Sequence, residues 1–123
     1  RISQVISNLL SNAIKFSPGG TISIVSDLKS TDRDENPIND EAIISIKDDG
    51  NGIDEEILPK LFSKFATKSF SGTGLGLFIC KSIIEAHGGN IWAENNSNGK
   101  GATFSFTLPL DKISREVGIG MIK

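Results

Sequence analysis

The chain has 123 residues, 37% hydrophobic and 23% charged, the size and balance of one globular domain with one core. Its net charge of −2 offers no basic footprint for a nucleic acid. A single cysteine, Cys80, excludes an internal disulfide and a multi-cysteine zinc site, and no run of about 18 apolar residues exists to span a membrane.

Residues 2–16 place Ile2, Val5, Ile6, Leu9, Ala13 and Phe16 at helical spacing and predict an amphipathic helix. Ser17-Pro18-Gly19-Gly20 stops it. Thr21–Leu28 alternates apolar and polar residues and reads as a strand. Residues 29–41 are polar and acidic around Pro37, which predicts a mobile loop. Ala42–Asp48 is a second strand, with Ile44 and Ile46 on one face. Glu55–Phe65 carries Ile57, Leu58, Leu61, Phe62 and Phe65 and predicts a short helix that Pro59 kinks or delays. Phe62, Phe65 and Phe70 are expected to pack.

Residues 66–73 are small, polar and flexible. Leu75–His87 is apolar on most sides and predicts a deeply buried helix, ended by Gly88-Gly89. Cys80 within it reads as a buried, inert thiol, compatible with a reducing cytosol. Asn90–Asn95 and Thr103–Leu108 alternate as strands joined by a turn at 96–101, with Trp92 expected in the core. Residues 111–123 read as a tail. A helical pattern that starts at once after Arg1, with no signal peptide, reads as part of something longer. The order helix, strand, strand, short helix, helix, strand, strand predicts an α+β fold. In it, antiparallel strands form one layer of a two-layer sandwich and the helices lie on one face.

Three clusters carry candidate chemistry. Asn8, Asn12 and Lys15 step by four and three along one helix face. Asparagine suits a helix interior poorly, because its amide competes for backbone hydrogen bonds. Two amide oxygens could serve as hard ligands for Mg²⁺, and a lysine one turn on could touch phosphate. A solvated polar face, which Ser3, Ser7 and Ser11 partly support, is the other reading. Asp48-Asp49-Gly50-Asn51-Gly52-Ile53 follows a strand directly. A carboxylate at a strand end can accept a hydrogen bond from the adenine amine, and guanine would leave it unpaired. Gly50 and Gly52 let backbone approach a flat ring, although an Asp-Gly turn has the same composition. Gly72-Thr73-Gly74-Leu75-Gly76-Leu77 opens a helix, where free N–H groups attract phosphate. It is neither a dinucleotide fingerprint nor a Gly-x4-Gly-Lys phosphate loop, and a flexible hinge is its other reading. Lys64 and Lys68 flank the segment before those glycines and could neutralise a triphosphate or simply face solvent. His87, the only histidine, sits at a helix C-terminus and reads as structural.

The set in this order resembles the catalytic domain of sensor histidine kinases. Residues 4–16 (QVISNLLSNAIKF) resemble their N-box, DDGNGI at 48–53 their first glycine box and LFSKF at 61–65 their F-box. GTGLGL at 72–77 resembles their second glycine box, and HGGNIWAEN at 87–95 and GATFSFTLPL at 101–110 resemble their closing strands. The resemblance spans residues 1–110, leaving 111–123 as tail. It implies the Bergerat-type ATP-binding fold, with a mixed, mainly antiparallel sheet, shared with type II topoisomerases, mismatch-repair ATPases and heat-shock chaperones.

By motif position the resemblance implies Asn12 as main Mg²⁺ ligand, with Asn8 supporting metal and phosphates and Lys15 contacting phosphate. It implies Asp48 on the adenine amine, with Ile53 beside it. Gly50, Gly52, Gly72, Gly74 and Gly76, with Leu75 and Leu77, would shape pocket and lid, and Thr73 and Lys68 would lie near the phosphates. Residues 54–73 would form a short ATP lid.

Related ATPases place a glutamate at the position of Asn8 as general base, so efficient hydrolysis is not expected here. The resemblance implies transfer of the γ-phosphoryl group of ATP to a histidine on a separate dimerisation domain, leaving ADP, with a response regulator served indirectly. The family's strand before the N-box is absent. The expectation is a monomeric, cytoplasmic catalytic domain that binds Mg-ATP, does not phosphorylate itself, and touches neither nucleic acid nor membrane, whatever anchors the parent protein. A serine kinase of anti-sigma-factor type on the same fold, and a non-catalytic nucleotide-binding module, are the alternatives.

Overall fold

A computed structural model describes residues 1–17, 19–29, 41–64 and 75–109. Helix α1 (Ile2–Phe16) buries Ile2, Val5, Leu9 and Ala13, a stripe with the i, i+3, i+4 spacing of one helix face. Strand β1 (Ile22–Lys29) pairs antiparallel with β2 (Glu41–Asp48) from Ile22 opposite Asp48 to Lys29 opposite Glu41. Helix α2 (Gly76–Ala86) precedes β3 (Ile91–Asn95), which pairs antiparallel with β4 (Ala102–Pro109). Strand β4 also pairs with β2, so the sheet order is β1-β2-β4-β3, antiparallel throughout its described strands.

One apolar cluster joins the layers. Ile46 from β2 and Ala102, Phe104, Phe106 and Leu108 from β4 meet the α1 stripe and Cys80, Ile83 and Ile84 of α2. The β4 residues alternate, so they share one sheet face, and both helices cover that face. On the other face Ser45 and Ser105 lie opposite each other with their hydroxyls 2.8 Å apart. This is the two-layer α+β sandwich expected from the element order.

Three local expectations are corrected. Trp92 is not core: it is 38% exposed. It pairs with Ser105 and so shares the face away from the helices, while its neighbours Ile91 and Ala93 pack against the core. Helix α2 is buried on one face only. Its other side carries Lys81, Ser82 and Glu85 in solvent, together with Ile79. The segment 55–64 forms turns and a 3-10 helix at Leu58–Lys60 instead of an α-helix. Pro59 lacks the N–H that would continue an α-helical ladder. Phe62 packs edge-on against Phe104, ring centres 6.3 Å apart. Phe65, Phe70 and most of the 29–41 loop lie outside the described residues.

The C-terminal end of α2 matches its sequence signal. Gly88 at φ +84° closes the helix, and the Gly89 N–H bonds to the Ile84 carbonyl. His87 Nδ1 lies 2.7 Å from the Ile83 carbonyl, a structural contact within the last turn.

Candidate nucleotide site

Asp48 is the last residue of β2 and is 5% exposed. The β2–β4 ladder runs to Lys47 opposite Thr103 and stops there. One step further, side-chain contacts replace it. Asp48 Oδ1 accepts the Gly50 N–H at 2.9 Å and the Ala102 N–H at 3.4 Å. The Asp48 carbonyl accepts Asn96 Nδ2 at 2.8 Å. Among the described residues no buried side-chain oxygen or nitrogen lacks a partner. The second carboxylate oxygen of Asp48 takes no hydrogen bond from them, so it opens to the surface. A carboxylate fixed through one oxygen and open at the other is what an exocyclic amine donor requires.

The loop after Asp48 is held from behind. Asn95 Oδ1 accepts the Ile53 N–H at 2.7 Å, and Asn95 Nδ2 donates to the Ile53 carbonyl at 2.9 Å. Gly52, at φ +79°, has no room for a side chain, since a Cβ would stand 2.8 Å from Asn95 Oδ1. Ile53 itself packs against the core, as does Leu77.

The neighbouring Asp49 faces the other way. Its Oδ1 accepts the Thr21 N–H at 2.9 Å and the Ser17 hydroxyl at 3.0 Å. The Thr21 N–H, then the Ser17 hydroxyl, hold its carboxyl below the usual range. Ser17 caps the C-terminal end of α1, so this carboxylate ties the asparagine helix to the Asp48 loop.

Along α1, Asn8 and Asn12 are half-buried and Lys15 is exposed in the last turn, where a cation suits the helix dipole. Asn8 Nδ2 lies 3.6 Å from Cys80 Sγ, and Cys80 is fully buried. Burial pushes the thiol up, with the Asn8 amide acting against it. With its N–H on sulfur, the Asn8 amide turns its oxygen the other way. No group of three or more His, Cys, Asp or Glu able to hold a metal exists among the described residues. A cation here would therefore rely on the neutral amide oxygens of Asn8 and Asn12 and on oxygens of its ligand, a donor set that fits Mg²⁺ carried by phosphates.

Leu75 and Gly76 lead into α2, and the Leu75 carbonyl accepts the Ile79 N–H. Lys64 Nζ stands 5.1 Å over the Phe78 ring of α2, so this lysine packs on an aromatic face. Lys68, Gly72, Thr73 and Gly74 lie outside the described residues. The sequence reading missed Ser17, Asp49, Asn95 and Asn96. Asn, Asp and Ser are ordinary turn signals, and the partners that tie these residues to the site lie 28 to 48 positions away.

The model of the histidine kinase-, DNA gyrase B-, and HSP90-like ATPases matches residues 1–112. The chain belongs to this ATPase family. It is 49% identical over 115 residues to the sensor protein KdpD of Clostridium acetobutylicum, covering 88% of this chain and 12% of that protein. To the sensor histidine kinase WalK of Bacillus subtilis it is 42% identical over 118 residues, covering 89% and 18%. The solved catalytic domain of histidine kinase ThkA superposes with a TM-score of 0.71 at 41% identity, covering 88% of this chain and 65% of that one. The chain thus spans under a fifth of the length of the two sensor proteins. Among its described residues, no helix is long and apolar enough to cross a membrane.

Proposed function

We propose that residues 1–110 are the ATP-binding catalytic domain of a two-component sensor histidine kinase, followed by a tail at 111–123. The observation that carries this is the Asp48 carboxylate, buried at the end of β2 with one oxygen fixed by Gly50 and Ala102 and the other open. That oxygen accepts the adenine amine, and guanine's carbonyl at the same position would face it without a donor. Gly50, Gly52 and Ile53 form the wall beside the base. Asn12, supported by Asn8, would hold Mg²⁺, which neutralises phosphate charge. Lys15 would contact phosphate, Lys68 and Thr73 would lie near the phosphates, and the glycines at 72, 74 and 76, with Leu75 and Leu77, would shape the pocket and its lid.

Asn8 decides the fate of the γ-phosphoryl group. Its amide has no basic lone pair to deprotonate water and is already bonded to Cys80. Transfer rests on positioning and charge neutralisation: the γ-phosphorus leaves its bridging oxygen and bonds to an imidazole nitrogen, releasing ADP. His87 is bound to its own helix end, so the acceptor belongs to a partner domain. The names of WalK and ThkA, both histidine kinases, support a histidine as the acceptor. Its place on a dimerisation domain, a response regulator downstream and a cytoplasmic setting are part of the same proposal.

The test mixes the chain with γ-labelled ATP, Mg²⁺ and a separately made dimerisation domain of a histidine kinase. Acid-labile phosphate on that domain, absent when its histidine is replaced by alanine, is the expected result. Free phosphate without transfer, or acid-stable phosphoserine, would overturn the proposal.

A further inference from the structure

We infer that Asn96, in the β3–β4 turn, is a positioning residue that sets adenine selectivity by fixing the backbone of Asp48. The inference rests on the reading of Asp48 as the acceptor of the adenine amine.

Every polar atom of the Asn96 side chain is used. Nδ2 donates to the Asp48 carbonyl at 2.8 Å and to the Lys100 carbonyl at 2.7 Å, and Oδ1 accepts the Thr103 hydroxyl at 2.6 Å. This set fixes the amide's orientation, because a flipped amide would point its oxygen at two carbonyls. The turn does not require the bond to Asp48. Its backbone closes through Asn96 N–H to the Gly101 carbonyl and Gly99 N–H to the Asn96 carbonyl, and Asn98 Oδ1 accepts the Lys100 N–H.

The bond to Asp48 crosses 48 positions and lands where the β2–β4 ladder has ended. Beyond Lys47 and Thr103, the Ala102 N–H turns to the Asp48 carboxylate. The Asp48 carbonyl then takes its partner from Asn96. Gly101, at φ +79°, lies so close that a Cβ on it would overlap the Asp48 carbonyl. The turn and the first residue of β4 therefore meet Asp48 at its carbonyl and at its carboxylate. Without Asn96 the strand end can shift, and the free carboxylate oxygen moves with it. Hydrogen-bond selectivity decays steeply with misplacement, while stacking of the base on a wall does not.

The test measures dissociation constants of Mg-ATP and Mg-ITP by calorimetry on the whole chain. Inosine carries a carbonyl in place of the adenine amine. Asn96→Ala is the main variant, and Thr103→Val is the milder one that removes only the hydroxyl holding Asn96, with folding checked by circular dichroism. Both should lose ATP affinity, roughly tenfold for Asn96→Ala, and keep ITP affinity, so the ATP-to-ITP preference falls toward that of Asp48→Asn. Equal weakening of both nucleotides, or no change in either variant, overturns the inference if Asp48→Asn still abolishes the preference. If Asp48→Asn also leaves the preference intact, the adenine reading of Asp48 fails and the inference falls with it.

Discussion

The amide nitrogen of Asn8 lies 3.6 Å from the thiol sulfur of Cys80, linking α1 to α2 between a half-buried polar residue and a fully buried one. The same thiol lies 4.0 Å from the Val5 carbonyl, one turn earlier on α1. The sulfur thus donates weakly to one group and accepts from the other, which selects the rotamer that presents the Asn8 oxygen. Cys80→Val is close in volume and should cost less than about 1.5 kcal/mol of stability. It removes the acceptor, so Mg²⁺-dependent ATP affinity should fall about two- to tenfold, while Cys80→Ser should retain most of it. Titrations with and without Mg²⁺ check both variants.

Burial also raises the Cys80 pKa, so the folded chain holds less reactive thiolate at any given pH than an exposed cysteine does. Alkylation by iodoacetamide at neutral pH should be slow in the native chain and fast in urea. Equal rates in the two states would contradict the buried placement.

Asp48→Asn should weaken ATP binding by about 1–3 kcal/mol, roughly 5- to 150-fold, because an amide can present a donor to the adenine amine. GTP binding should not weaken in parallel. Calorimetry on the two nucleotides separates these effects.

Asp49 sets an acid limb of stability. Its folded pKa lies below the unfolded value because the Thr21 N–H and the Ser17 hydroxyl bind the carboxylate. Its contribution is therefore present above the unfolded pKa and is lost as pH falls through the folded one. Urea midpoints taken from neutral pH into the acid range should decline more steeply for the native chain than for Asp49→Asn. An identical slope in both would show that Asp49 does not tie α1 to the Asp48 loop.

Gly101 and Gly99 offer a matched pair, both at φ +79°. Alanine at either carries the backbone penalty, about 1–3 kcal/mol. Only Gly101→Ala also meets the Asp48 carbonyl, since Gly99 has nothing within 4 Å of its missing Cβ. Gly101→Ala should therefore be the less stable of the two and should alone lose ATP affinity. Denaturant midpoints and nucleotide titration give the comparison.

The sequence made the layers legible because α1 and β4 carry clean periods, 3.6 for Ile2, Val5, Leu9 and Ala13 and 2 for Phe104, Phe106 and Leu108. Trp92 was misread because alternation shows that two faces differ without showing which one the helices cover. The short helix expected at 55–65 does not form over the described residues 55–64, because their apolar side chains serve equally well in turns. Asp48 and the asparagines stood out as polar groups in awkward places. Their supports did not: Ser17, Asn95 and Asn96 look like turn residues, and only the fold brings each to its partner.

The most direct test is calorimetric titration of the folded chain with a non-hydrolysable ATP analogue, with and without Mg²⁺, beside the matching GTP analogue. Mg²⁺-dependent binding that favours adenine over guanine is the predicted result. Absence of binding in a chain folded by circular dichroism, or equal affinity for the two bases, would contradict the assignment of this site.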